Sequence, residues 1–320
     1  MSIGYLFPGQ GSQFVGMGKD LYEKFPAARA VFDEANAVLG FDLARLCFEG
    51  PEEELKQTRN TQPAIFTHSI AAWRALGWSA APSARAAGHS LGEYSAYVAA
   101  GAFDFAAGLR LVRRRGELMY QAGLERPGTM AAALGLEAAR VAELLSGVSG
   151  TVRAANFNSP GQVVISGEVA AVEAAMEILK SGGAKRVIRL EVSGAFHSPL
   201  MESAATGLRA MLAETPMQAP RCPVVTNQSA RPVAPDGADF APAIRDSLER
   251  QLLSTVRWEE SVRSMLADGI TEFYEIGPGK VLAGLVRGVD KEAKVTPLGT
   301  AEQLEVYLST TGLSTEGSAR

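Results

Sequence analysis

The chain has 320 residues, of which 47% are hydrophobic and 21% charged, with a formal net charge of −4. That balance is the one of a globular protein, and its acidic sign argues against nucleic acid as a partner; an anionic ligand must be met by a local group of basic side chains. The two cysteines, Cys47 and Cys222, lie far apart without further metal-type ligands beside them, so a disulfide framework or a zinc site is not expected and a reducing cytoplasm is. No stretch has the length or apolarity of a membrane span, no cleavable leader is visible, and nothing calls for more than a monomer.

Ile3–Phe7 is a short apolar run closed by Pro8-Gly9 and reads as a buried strand ending in a loop. Helical patterns follow over Leu21–Leu39 and Pro63–Leu76, interrupted by Gly40 and by Gly50-Pro51. Ala84–Ala87 is a candidate second strand, with a helix expected from Leu91 to about Ala100 and another from Phe105 to Gln121. Between Gly128 and Val192 the expected order is strand (Met130–Leu134), helix (Glu137–Leu145), hairpin (Val152–Asn156 and Val163–Ser166), helix (Val169–Ser181) and strand (Arg186–Val192). This βαββαβ order is the ferredoxin-like pattern and predicts an inserted subdomain over 127–193. Val224–Thr226 and Glu272–Ile276 are further strands, the second followed by Gly277-Pro278-Gly279-Lys280 and a helix. The C-terminal end, from about 306 to 320, is expected to be a disordered tail.

Gly88-His89-Ser90-Leu91-Gly92 matches G-x-S-x-G, in which a serine stands on a sharp strand-to-helix turn and small neighbours relieve the crowding. Five residues with two fixed glycines also arise by chance; the strand-like run before and the helix-forming run after favour the nucleophile. A serine needs a base, and the chain holds three histidines. His89 adjoins Ser90 and should point away from it, and His68 sits in mid-helix where a packed role is expected. By elimination the base is His197, in the loop Gly194-Ala195-Phe196-His197-Ser198-Pro199 at the subdomain junction. The glycine-bearing loop Phe7–Gln13 fits neither nucleotide fingerprint and leaves two readings, a cradle for an oxyanion or a tight turn.

On a helical projection of 105–121, Arg115 falls inside the apolar half while Arg110, Arg113 and Arg114 fall opposite. A buried guanidinium requires a partner. Locally, a distant acid or carbonyl group and the carboxylate of a ligand both answer that need.

Taken together, Phe7–Gln13, Gly88–Tyr94, Arg115-Gly116, Asn156-x-Asn158-Ser159-Pro160-Gly161-Gln162, Gly194–Met201 and Glu275–Gly279 resemble the malonyl-CoA:acyl carrier protein transacylases in order and spacing. The resemblance covers about residues 3 to 300. It implies an α/β fold with an α/β-hydrolase-like large domain (1–126 and 194–305) around a short parallel sheet, interrupted by the ferredoxin-like subdomain. It implies Ser90 as nucleophile, His197 as base, Arg115 as the ligand of the malonyl carboxylate, and the backbone N–H groups of Gln10 and Leu91 as oxyanion donors. Gln251 matches the family's glutamine beside the serine–histidine pair, and backbone carbonyls rather than an acid are expected to orient the histidine. Phe196, before the base, resembles the malonyl-type rather than the methylmalonyl-type residue of related polyketide acyltransferases. The expected substrates are malonyl-CoA and a holo acyl carrier protein, with no resident cofactor and no metal. A discrete acyltransferase of a polyketide assembly line and, less closely, a serine thioesterase are the competing readings.

Overall fold

The computed structural model describes residues 2–233 and 239–311. Among these residues nine strands form two sheets. The first sheet is built from β1 (Ile3–Phe7), β2 (Arg85–Gly88), β7 (Val224–Val225), β8 (Glu272–Glu275) and β9 (Lys294–Pro297) in the order β7-β2-β1-β8-β9, every pair parallel. The second is built from β3 (Gly128–Leu134), β4 (Val152–Ser159), β5 (Gln162–Glu168) and β6 (Arg186–Arg189) in the order β4-β5-β3-β6, every pair antiparallel. The protein is thus α/β, with a parallel sheet carrying the first expected strand at its centre.

Parallel strands need long crossovers, and the helices that supply them cover both faces of the sheet. Alternation along β1 shows this directly. Tyr5 and Phe7 enter the large core with the helix Thr58–Ala75, whereas Leu6 joins a second core with Ala87, Val225, Trp258 and Phe273. A third, separate core, including Ala131, Val141, Ile165, Val172 and Leu179, holds the helices Ala138–Leu145 and Val169–Ser181 against the antiparallel sheet.

Several boundaries differ from expectation. Phe25, in extended conformation with Pro26 at the next helix's first position, splits the Leu21–Leu39 pattern into Lys19–Lys24 and Pro26–Leu39. β6 stops at Arg189, short of Val192, and β7 keeps only two residues. The expected tail starts too early, because a helix runs over Ala301–Thr311. Tyr307 packs edge-on to Trp78 and Tyr274 with ring centroids 5.3 Å apart in both cases, and Leu304 and Leu308 are buried. Residues 312–320 lie outside the described part. Among the described residues no helix is long and apolar enough to cross a membrane.

What matters for the site is that β1 and β2 are neighbours in register, Phe7 opposite Gly88. Their carboxyl ends release the Pro8–Gly11 loop and the Ser90 turn side by side, joined by the His89 N–H donating to the Phe7 carbonyl at 3.0 Å. The carboxyl ends of parallel strands are where such sheets form their ligand crevices.

Candidate active site

β2 ends at Gly88, and the chain turns through His89 and Ser90 into the helix Gly92–Ala99. Ser90 has φ = 50°, in the left-handed region that costs a non-glycine residue roughly 1–3 kcal/mol. Two glycines make the turn feasible. A Cβ on Gly88 would overlap the backbone of Gly92, and one on Gly92 would overlap the carbonyl of Phe7. His197 is likewise left-handed, at φ = 57°. Both sides of the pair are therefore held in backbone conformations that the surroundings must enforce.

Ser90 Oγ lies 2.8 Å from His197 Nε2. His197 Nδ1 is 3.0 Å from the Gln251 main-chain carbonyl, an acceptor only, so the proton resides on Nδ1 and Nε2 presents its lone pair to the serine. Among the described residues no acid bonds to this histidine. Burial first, then the charge of Arg115, lowers the His197 pKa to about 3, so the ring is neutral at physiological pH.

Arg115, on the helix Phe105–Glu125, is 1% exposed. Its guanidinium donates to Gln62 Oε1 (2.8 Å), Ser90 Oγ (3.0 Å) and Gln251 Oε1 (3.1 Å), and the Tyr94 ring lies beneath it at 5.6 Å. Its Nε is buried without a partner, and among the described residues no carboxylate lies within ion-pair distance. The salt bridge that the sequence left open is therefore not what holds Arg115. Amide oxygens hold it, and the charge itself stays uncompensated by direct contact.

Ser90, His197 and Arg115 line a cavity of about 200 Å³ together with Gly9, Gln10, Leu91, Met119, Met130, Asn158, Phe196 and Leu285. A larger surface groove near Trp73 and Arg221 is lined by none of the residues just described. Gln10 is anchored through Nε2 to Thr58 Oγ1 at 3.2 Å. The Ser90 N–H is already given to Asn227 Oδ1 at 2.7 Å, whereas Leu91 stands at the start of a helix where backbone N–H groups lack intrahelical acceptors. Phe196 is 6% exposed and forms part of the wall.

The structure thus brings Ser90, His197, Arg115, Gln10, Leu91 and Phe196 to one cavity, with Gln251 behind the wall, bonded to Arg115, His197 and Ser90. His89 also lines the cavity, but its Nε2 is 2.8 Å from Asn158 Oδ1 and makes no hydrogen bond to Ser90. His68 is fully buried in its helix and does not line it. Gln62 and Asn227 escaped the sequence reading altogether, whereas Glu93 and Asn158 lay inside the resembling motifs without a role of their own. Glu93 carried a further signal, a lone carboxylate in a helix with no other charged residue.

Comparison with known proteins places the chain in a family. Residues 4–308 match the family model described as the acyl transferase domain. The malonyl CoA-acyl carrier protein transacylase of Bacillus subtilis (strain 168) is 47% identical over 96% of this chain and 96% of its own. That of Escherichia coli (strain K12) is 46% identical over 89% of this chain and 92% of its own. Among solved structures, a malonyl-transacylase in holo complex with its type II PKS acyl-carrier protein superposes with a TM-score of 0.91 at 42% identity, covering 97% of this chain and 100% of that one. With a serine–histidine pair and a buried arginine in one cavity, and with these relatives matching it nearly end to end, the chain belongs to the acyl transferase family, among the malonyl CoA-acyl carrier protein transacylases.

Proposed function

We propose that the protein is a malonyl-CoA:acyl carrier protein S-malonyltransferase working by ping-pong transfer through an ester on Ser90. The observation that carries this reading is Arg115. A buried guanidinium with no carboxylate in direct contact among the described residues, 3.0 Å from the Ser90 hydroxyl, is a receptor for an acyl group that ends in a carboxylate.

His197 Nε2 takes the Ser90 proton as Oγ attacks the thioester carbonyl. The N–H groups of Gln10 and Leu91 receive the negative charge that develops on the carbonyl oxygen. The C–S bond then breaks, and the proton passes from His197 to the coenzyme A thiolate. In the second half the phosphopantetheine thiol of a holo carrier protein gives its proton to His197 and attacks the malonyl ester. Ser90 leaves and recovers the proton. Gln251 holds the base through its main chain and the arginine through its side chain. Coenzyme A enters as part of the substrate, and the sequence of steps calls on no resident cofactor.

The domain division follows the same reading: a catalytic, α/β-hydrolase-like unit over 1–126 and 194–305, and a ferredoxin-like subdomain over 127–193. The strand order β4-β5-β3-β6 with two helices in the intervening connections supports the latter. The cavity draws on both, with Met130 and Val164 from the second sheet. Two buried free cysteines fit a monomer working in the reducing cytoplasm.

Intact-protein mass spectrometry after brief incubation with malonyl-CoA tests the proposal. A malonyl adduct on the wild type, absent in Ser90→Ala and absent with acetyl-CoA, is the expected result. Free malonate without an adduct would turn the reading into a thioesterase. A polyketide rather than a fatty acid carrier is the second reading, favoured by the carrier in the similar complex; holo carriers of both kinds offered to the malonylated enzyme distinguish them by rate.

A further inference from the structure

We infer that Glu93 is a positioning residue for this reaction, setting the nucleophile and the substrate-holding arginine together through one carboxylate oxygen; the inference rests on the transfer reading above. Glu93 is fully buried in the first turn of the helix that follows Ser90. Among the described residues the other fully buried carboxylate, Glu275, spends both oxygens on the N–H groups of Leu282 and Ala283 at the start of a helix. Glu93 caps nothing of its own. Its Oε2 accepts the Asn227 backbone N–H at 2.9 Å and the Gln251 side-chain amide at 2.9 Å.

Two arms leave from there. Asn227 clamps the turn, its Oδ1 accepting from the Ser90 N–H and its Nδ2 donating to the Gly88 carbonyl, each at 2.7 Å. Gln251 Nε2 donates to the Ser90 carbonyl at 2.9 Å. Both main-chain polar groups of Ser90 are thus held by side chains, which is what keeps a serine at φ = 50°. The second arm runs from Gln251 Oε1 to Arg115 at 3.1 Å. An amide between a carboxylate, which only accepts, and a guanidinium, which only donates, has a single orientation that satisfies both. Glu93 therefore fixes the direction of the Gln251 amide, and with it the seat of Arg115.

Quench-flow acylation of folded variants, followed by intact mass with malonyl-CoA and acetyl-CoA, separates the arms. Glu93→Ala should slow malonylation about 30-fold and lower the malonyl-to-acetyl ratio about tenfold, a readout that loss of folded protein alone cannot move. Asn227→Ala removes the clamp on the nucleophile and, on the other arm, only a long 3.5 Å contact from Gln251 Nε2, so both donors should slow about tenfold with the ratio within about threefold of wild type. Glu93→Gln keeps an acceptor and should recover the wild-type rate to within about fivefold. A folded Glu93→Ala with rate and ratio within about threefold of wild type overturns the inference. If Glu93→Ala does not fold, the other two decide: a changed ratio in Asn227→Ala, or a tenfold loss of ratio in Glu93→Gln, is equally fatal, and the results expected above support it. Absence of any malonyl adduct on the wild type would instead remove the transfer reading itself.

Discussion

Replacing Arg115 with leucine removes the feature on which substrate choice rests. The guanidinium makes three hydrogen bonds within the protein, to Gln62, Ser90 and Gln251, and is 1% exposed. A malonyl carboxylate arriving there completes a desolvated ion pair, and breaking such a pair costs about 3–5 kcal/mol. At 1.36 kcal/mol per factor of ten, kcat/KM for malonyl-CoA should fall by about 10² to nearly 10⁴. Acetyl-CoA has no carboxylate to lose, so its rate should stay within about tenfold and the selectivity should collapse toward unity. The leucine also leaves the Gln62 and Gln251 amide oxygens unpaired, each costing roughly 1–3 kcal/mol of stability, so rates must be compared at equal folded fraction. Arg115→Lys keeps the charge without the planar fork and should fall between. Single-turnover acylation with both thioesters is the assay. A folded Arg115→Leu that still prefers malonyl over acetyl by more than about 100-fold would refute the receptor role.

With the His197 pKa held at about 3, malonylation should show no ionisation of this base near its ordinary 6.5; an acid limb there that persists in Glu93→Gln, whose parent carboxyl is pushed up to about 7 by burial, would count against it. The same shift acts on stability. Between pH 6.5 and 3 the unfolded histidine binds a proton that the native one refuses, so its contribution is lost as pH falls through that window. Urea unfolding of the wild type should therefore weaken with acid more steeply than that of His197→Gln, and parallel curves would contradict the assignment. Gly92→Ala, whose methyl would meet the Phe7 carbonyl of the central strand, should cost about 2 kcal/mol or more in denaturant unfolding. Phe196→Ser enlarges the cavity wall and should raise methylmalonyl relative to malonyl acylation about tenfold; an unchanged ratio in mass-spectrometric competition would assign the ring to packing alone.

The parts of the site that were legible in the sequence are those whose chemistry demands a local pattern. Ser90 is visible because its turn needs Gly88 and Gly92 within two residues on either side. Arg115 is visible because a charge inside a helix's apolar half contradicts the period of that helix. The βαββαβ order was readable because hydrophobic period changes from two to 3.6 and back over short segments. Asn227 and Gln62 were not readable, since a single amide in a buried segment has no local signature and its partners lie far away in sequence; the Ser90 to Asn227 separation is 137 positions. The split at Phe25 has a local cause in Pro26, whereas the C-terminal helix escaped for a related reason. Tertiary packing, here the Trp78, Tyr274 and Tyr307 cluster, stabilises a helix whose own composition is ordinary.

The main-chain carbonyl that receives the His197 Nδ1 proton has a genetic consequence. In a triad completed by aspartate, one codon change removes the orienting acceptor. Here every amino acid encoded at position 251 brings the same carbonyl, so no missense change there deletes the bond itself. Such a change reaches the base only by shifting the backbone, while it strikes the arginine and the serine turn directly through the lost amide. Variation at 251 should accordingly leave its mark on which acyl group is chosen and on how the nucleophile is presented, with the tautomer of the base surviving as an inherited constant of the fold.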